Sequence, residues 1–310
     1  MALSFAALRY PLNVVNDVKP TSIRPCSTSS SSSSSLYSSP LPMKTDCTKI
    51  SPEPKKGYTS LSAAPCYGKQ NTVGIIGGVS VLSTLIFLEK FVLWSSRDKH
   101  ETVPFIVCSD PRMSCLSSGL DRNGIVENLR SKRMFLEEGG AQCIVMPCHI
   151  SHAWYGEISQ GSKLPFLNVA ECVAMELKEA KLQPIEVGSG VKVGLIATHV
   201  TLVAELYQEK LHDQGFEVVL PDKSTMKNII NPAIHSLKRN DMKGARNLLR
   251  IVIHALLMKG VNTVILASHE LQCLLPHDDP LLKKCIDPMD ALARSAVRWA
   301  KSAKDTQEFR

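Results

Sequence analysis

The sequence predicts an α/β protein of two pseudo-symmetric lobes, each a parallel sheet flanked by helices, with an active site in the cleft between them. Three observations carry this. Short apolar runs alternate with helix-length amphipathic runs from about residue 72 onward, the pattern of parallel sheets with helices on both faces. The chain also contains itself twice, about 120 residues apart. Val73-Gly74-Ile75-Ile76 is echoed by Val193-Gly194-Leu195-Ile196, Glu89-Lys90-Phe91 by Glu209-Lys210-Leu211, and Gly140 to Cys148 by Gly260 to Ser268. Finally, the apolar runs stop at small or polar residues, and ligands of such sheets bind beyond the carboxyl ends of strands.

Each element follows from local pattern. Val73–Ile76 is a short apolar run closed by Gly77-Gly78, as a buried parallel strand would be. Helical spacing then predicts a helix over Leu82 to Trp94. Pro104–Cys108 reads as a second strand, stopping at Ser109-Asp110. A helix with basic residues on one face runs from Ile125 to Glu138 and ends at Gly139-Gly140. Cys143–Met146 is a third strand and Pro165–Leu167 a fourth, with a helix over Ala170–Ala180. Pro184 to Gly190 reads as a linker. The second copy predicts a strand at Val191–Ile196, a helix over Leu202–Gln214, a strand at Phe216–Leu220 and a short helical piece at Asn231–Leu237. A long amphipathic helix over Met242–Met258, strands at Thr263–Ala267 and Cys285–Ile286, and a closing helix from Pro288 to Lys301 complete it. The expected first lobe is 72–169 plus 288–303, and the second is 170–287.

The front of the chain is different. Residues 1–60 carry seven Lys/Arg and three acids, with an uninterrupted serine run from Ser29 to Ser35 and no long apolar segment. That composition is expected of a plastid transit peptide ending near residue 65, which places the protein in the chloroplast stroma; an unprocessed disordered tail has the same composition. Much of the net charge of +7 belongs to this segment, so no nucleic-acid partner follows from charge. The apolar stretch Val73 to Leu88 is too short and too interrupted to cross a membrane. Ten cysteines without a C-x-x-C pair or a secretory signal indicate neither a zinc site nor a disulfide framework.

The strand ends hold the chemistry. Cys148 follows a proline at the end of an apolar strand, where a thiolate could act as base or nucleophile; buried cysteines also serve packing alone. His149 is adjacent, and His152, one helical turn on, could supply positive charge. The repeat places Ser268 opposite Cys148. His269 beside it has the range for proton transfer, or faces solvent at a helix start. Gly77 and Gly78 could let a carboxylate approach backbone N–H groups. Thr198 and Thr201 could donate to the same ligand or simply cap a helix. Lys90 and Lys210 recur in both copies on helices, as solvated faces would. No lone Arg or Lys stands out as a clamp for a side-chain carboxylate.

Together and in order, several motifs resemble the aspartate/glutamate racemase superfamily, its aspartate racemase branch most, in a plant-type form with the plastid-like extension. They are Val73-Gly74-Ile75-Ile76-Gly77-Gly78, Met146-Pro147-Cys148, His152, Ala197-Thr198 with Thr201, Asp278-Asp279, and Ile286-Asp287-Pro288-Met289-Asp290. The resemblance implies two pseudo-symmetric lobes with the site in the cleft, no cofactor, no metal and, often, a homodimer. It further implies two thiols on opposite faces of the substrate α-carbon, one removing a proton and the other delivering it. Cys148 matches the first; the second falls on Ser268. Where the family usually has Pro-Cys-Asn-Thr, His149-Ile150 follow Cys148. Where it has Gly-Cys-Thr-Glu, this chain has Ala267-Ser268-His269-Glu270. The glycine loop continues Val79-Ser80-Val81 instead of Met-Gly-Pro, and Ser109-Asp110 stand where an Asn often ends the second strand. The expected function is a cofactor-independent amino-acid racemase or isomerase acting on aspartate/glutamate-like substrates. Cys148 is its thiolate base, and Ser268, His269 or His152 serves the other face. Gly77, Gly78, Ser109, Asp110, His149, Thr198 and Thr201 would hold the substrate. One-sided lyase or isomerase chemistry on a small carboxylic acid, or silent carboxylate binding, are the alternatives.

Overall fold

The computed structural model describes residues 71–97, 102–113, 122–182, 185, 190–197 and 200–308, all within the compact unit Ala63–Arg310. The expected transit peptide, Thr198 and part of the linker lie outside the described residues. Two four-stranded parallel sheets form the frame. The first has the order β2-β1-β3-β4, from β1 (Val73–Ile76), β2 (Phe105–Cys108), β3 (Cys143–Val145) and β4 (Phe166–Leu167). The second repeats that order as β6-β5-β7-β8, from β5 (Val191–Ile196), β6 (Phe216–Val219), β7 (Thr263–Leu266) and β8 (Cys285–Ile286).

The duplication extends to single contacts. Gly74 pairs with Ile144, and Gly194 with Val264. A Cβ on Gly74 would fall 2.8 Å from Ala141 and Ile144 and 3.3 Å from Leu136. A Cβ on Gly194 would meet Leu256, Val261 and Val264, the repeat partners of those same residues, at 3.1–3.3 Å. Glycine at both positions lets a helix close on the sheet: α2 (Arg122–Glu138) on the first and α5 (Met242–Met258) on the second. Gln142 N–H donates to Thr72 O and Asn262 N–H to Lys192 O, each at 2.8 Å.

Strand alternation divides the apolar core into three. Val73, Ile75, Val145, Val193, Leu195 and Ile265 face a central cluster shared by both sheets. Ile76, Ile144 and Met146 face outward under α2, and Ile196, Val264 and Leu266 under α5. Burying one such side chain contributes roughly 1.5–3 kcal/mol. The central cluster therefore makes the two lobes one cooperative body.

The helices that close each copy cross over. α3 (Val169–Glu179) packs on α4 (Val200–His212) of the second copy, and α6 (Pro288–Glu308) packs on α1 (Val81–Ser95) of the first; α3 and α6 also pack on each other. Equivalent caps start them. Asn168 Oδ1 accepts from Ala170 N–H at 2.9 Å, and Asp287 Oδ1 from Met289 N–H at 2.9 Å. Such caps are worth about 1 kcal/mol each. Lys90 and Lys210, both still partly exposed, take part in this crossover. Lys90 Nζ lies 2.8 Å from Asp287, and Lys210 Nζ lies 3.3 Å from Glu171. Trp94 Nε1 donates to Asp290 at 2.7 Å, and Arg294 pairs with Glu176 across the α3–α6 seam.

Candidate active site

The first rim begins where β3 stops. Pro147 has no N–H, so the ladder ends and the chain turns, with Cys148 N–H donating to Met146 O at 2.8 Å. A 3-10 turn, Ile150–Trp154, and a short helix, Tyr155–Ser159, follow. Cys148, Ser151 and His152 are buried. The double-glycine turn after β1 lies directly on the thiol: a Cβ on Gly78 would fall 2.2 Å from Cys148 Cβ, 2.8 Å from Sγ and 2.8 Å from Ser151 Oγ. Gly77 lies against Ser109 in the same way, its Cβ position 2.3 Å from Ser109 Oγ. The glycines expected to receive a carboxylate therefore also let the end of the first strand touch the ends of the second and third.

His152 differs from the expectation that it supplies positive charge. Its Nε2 accepts from Val169 N–H at 3.2 Å, so its Nδ1 carries the proton and donates to Cys148 O at 2.9 Å. Burial holds its pKa down to about 4, partly opposed by the Cys148 carbonyl bond. The ring is a neutral strut between the cysteine turn and the start of α3. This has a measurable consequence. Above pH 6.5 the ring is neutral in folded and unfolded chains alike. As pH falls from 6.5 to about 4, the unfolded chain takes up the proton and the folded chain does not, so stability is lost over that window. The loss is about 3 kcal/mol. Denaturant unfolding at pH 7 and pH 4.5 is expected to show it, and His152→Gln to remove that component; an equal acid loss in the variant would contradict the assignment.

The second rim is built from Ser268, which is buried and opens the short helix His269–Gln272. Its hydroxyl donates to the Glu270 carboxylate. That short helix packs on α1, while the turn after Cys148 packs on α4, the repeat partner of α1. The two rims are thus placed equivalently about the pseudo-twofold axis. On the first rim, Tyr207 of α4, which the sequence did not single out, places its Oη 3.4 Å from His149 Nδ1, both residues buried. The side chains of Thr201 and His269 lie outside the description, as does Thr198.

Asp110, at the end of β2, is held as a carboxylate. Arg112 bonds both its oxygens, at 3.0 and 3.1 Å, and Asn128 adds a bond at 3.3 Å, so its pKa falls to about 2. Lys132 was also missed. It is buried on α2, and its Nζ donates to Gly77 O at 2.9 Å. Its signal in the sequence is a lysine inside the apolar stripe Ile125, Leu129, Leu136. Among the described residues, no group of three or more His, Cys, Asp or Glu side chains is placed to hold a metal ion. A cavity of about 280 Å³ lies beyond β8, walled by Gln272, Asp287, Asp290 and Arg294; neither Cys148 nor Ser268 lines it. It belongs to the ion pairs that join α3 to α6.

The arrangement offers a thiol and a hydroxyl–carboxylate pair at equivalent strand ends. The fold that carries these strand ends is found among known proteins. The chain is similar to the broad specificity amino-acid racemase RacX of Bacillus subtilis, 22% identical over 230 residues, covering 73% of this chain and 96% of that one. In fold it is similar to an aspartate racemase homologue from Pyrococcus horikoshii (TM-score 0.63, 22% identity, 75% of this chain and 100% of that one). It is also similar to the Picrophilus torridus aspartate racemase (TM-score 0.58, 27% identity, 74% of this chain and 94% of that one). The family model for Asp/Glu/hydantoin racemases matches residues 76–296. That segment runs from the end of β1 into α6 and takes in both rims, so the chain belongs to the Asp/Glu/hydantoin racemase family.

Proposed function

We propose that the protein is an amino-acid racemase that needs no cofactor and works with two unlike bases. The Cys148 thiolate takes the α-proton on one face. On the other, Ser268 passes a proton between the α-carbon and Glu270. The observation that carries this reading is the Ser268–Glu270 hydrogen bond at the strand end equivalent to Cys148. A serine hydroxyl alone is a poor acid and a poor base. Bonded to a carboxylate, it can relay: as Oγ takes the α-proton, its own proton moves to Glu270. In the opposite direction, protonated Glu270 returns a proton through Oγ while the Cys148 thiolate takes one. Each turnover leaves one acid and one base exchanged between the two faces, so the proton count balances. The relatives named above support an amino acid as substrate, with aspartate and glutamate the first candidates.

A second reading is favoured by the same asymmetry. A thiol and a Ser–Glu pair differ in acidity, which suits chemistry in one direction. Incubating the full chain in D2O with each enantiomer of aspartate, glutamate and other small amino acids separates the two. Deuteration at Cα with inversion from both enantiomers is expected. Exchange from a single enantiomer without inversion would transfer the assignment to one-sided chemistry. Absence of exchange from every amino acid would overturn both.

A further inference from the structure

The geometry points to a further residue of this site: we propose that Lys132 is the charge partner of Cys148, acting across the Gly77–Gly78 peptide. The inference rests on reading Cys148 as the reacting thiol. The helix α2 buries the stripe Ile125, Leu129, Lys132 and Leu136 against the first sheet. An ammonium in that stripe is costly unless something nearby uses it. The bond it makes is to Gly77 O, at 2.9 Å. That carbonyl belongs to the peptide whose nitrogen is Gly78 N, and Gly78 is the residue packed onto the Cys148 side chain. The ammonium and the thiol therefore lie against the same Gly77–Gly78 segment, the one on its carbonyl and the other on Gly78 Cα. A cation on a peptide carbonyl polarises the N–H at its other end, strengthening it as a donor toward an anion.

The charges around Cys148 leave Lys132 in that task. From β2 come Cys108, whose thiol burial pushes up, and Asp110, an anion. From its own turn come His149 and the neutral strut His152. From α4 comes Tyr207, whose hydroxyl burial keeps protonated. Burial lowers the pKa of Lys132, while Asp110, Cys108 and Cys148 each oppose that fall. Asp110, fastened by Arg112 and Asn128, and Cys148 both act on the Lys132 charge, Asp110 the more strongly.

Alkylation of Cys148 reads this charge without turnover, so failure of the racemase reading leaves the test intact. Iodoacetamide is neutral and iodoacetate is an anion. Labelling of the Cys148 peptide by each, followed by mass spectrometry, compares the thiol's reactivity with its local potential. Exposed Cys273 serves as the internal reference. In the wild-type chain, iodoacetate relative to iodoacetamide is expected to be favoured at Cys148 over Cys273; equal ratios would overturn the proposal and need no variant. In Lys132→Met, iodoacetamide labelling at pH 7 is expected to slow about tenfold at Cys148, with the iodoacetate preference lost. Labelling of Cys273 is expected to stay the same. Lys132→Arg keeps the charge and is expected to keep the preference. A folded Lys132→Met chain with wild-type rates and ratio at Cys148 would overturn the assignment, leaving Lys132 a packing residue.

Discussion

Cys148→Ala is expected to lower α-proton exchange by about a thousandfold or more, the range a positioned general base supplies. The size follows from the surroundings. Three of its neighbours are not placed to take over the proton. His152 is fixed by two backbone bonds and held neutral down to about pH 4. Ser151 Oγ accepts from Val79 N–H at 3.4 Å and has no carboxylate partner of the kind Ser268 has. Lys132 is an ammonium bonded to a carbonyl, and an ammonium cannot accept. The cost in stability is small by comparison, because the change removes a single buried atom, worth about 1 kcal/mol. Activity and stability therefore separate: a folded variant without exchange, by NMR of the α-proton, is the expected result. Retention of a tenth of the wild-type rate would sink the role of Cys148 as base.

Much of this arrangement is visible in the sequence because the repeat is written in contacts that need the same residue type twice. Gly74 and Gly194 recur because each admits a helix onto a sheet. Gly140 and Gly260 recur because each turns the chain at positive φ, 94° and 78°. Strands such as Val191–Ile196 and helices such as Met242–Met258 read cleanly, since burial on both faces leaves an unbroken apolar run and burial on one face leaves a stripe. The strand ends also placed Cys148 and Ser268. What did not read was set by partners far away in the chain. His152 is neutral because Val169 N–H reaches its Nε2 from the next helix; the same residue in an open turn would titrate normally. The turn Ile150–Trp154 has no side-chain cap to announce it. Lys90 and Lys210 resemble solvent-facing lysines until the closing helices cross over and bring Asp287 and Glu171 to them. Lys132 was readable in principle, as a charge in an apolar stripe, but basic neighbours on α2, buried Arg133 among them, concealed it.

Gly78→Ala is expected to be nearly as damaging as loss of the thiol, although it removes no functional group. The added methyl would sit 2.2 Å from Cys148 Cβ, where real atoms need well over 3 Å. Neither neighbour can yield cheaply. Cys148 is 1% exposed and Ser151 is fully buried, and His152 ties the cysteine turn to α3. The clash therefore moves the turn, and with it Sγ and the Gly77–Gly78 peptide that Lys132 polarises. Displacing a reacting atom by about 1 Å costs about a hundredfold in rate. Overpacking a rigid core site costs about 1–3 kcal/mol in stability. Both should appear together: a lower melting temperature and slow exchange, with Cys148 still present and titratable by alkylation. Gly156→Ala is the matched control, since nothing lies within 4 Å of the Cβ it would add. A Gly78→Ala chain with wild-type melting and exchange would mean that the double-glycine turn and the cysteine turn do not pack as described. The shared position of the thiol, the peptide and the buried ammonium would then lose its basis.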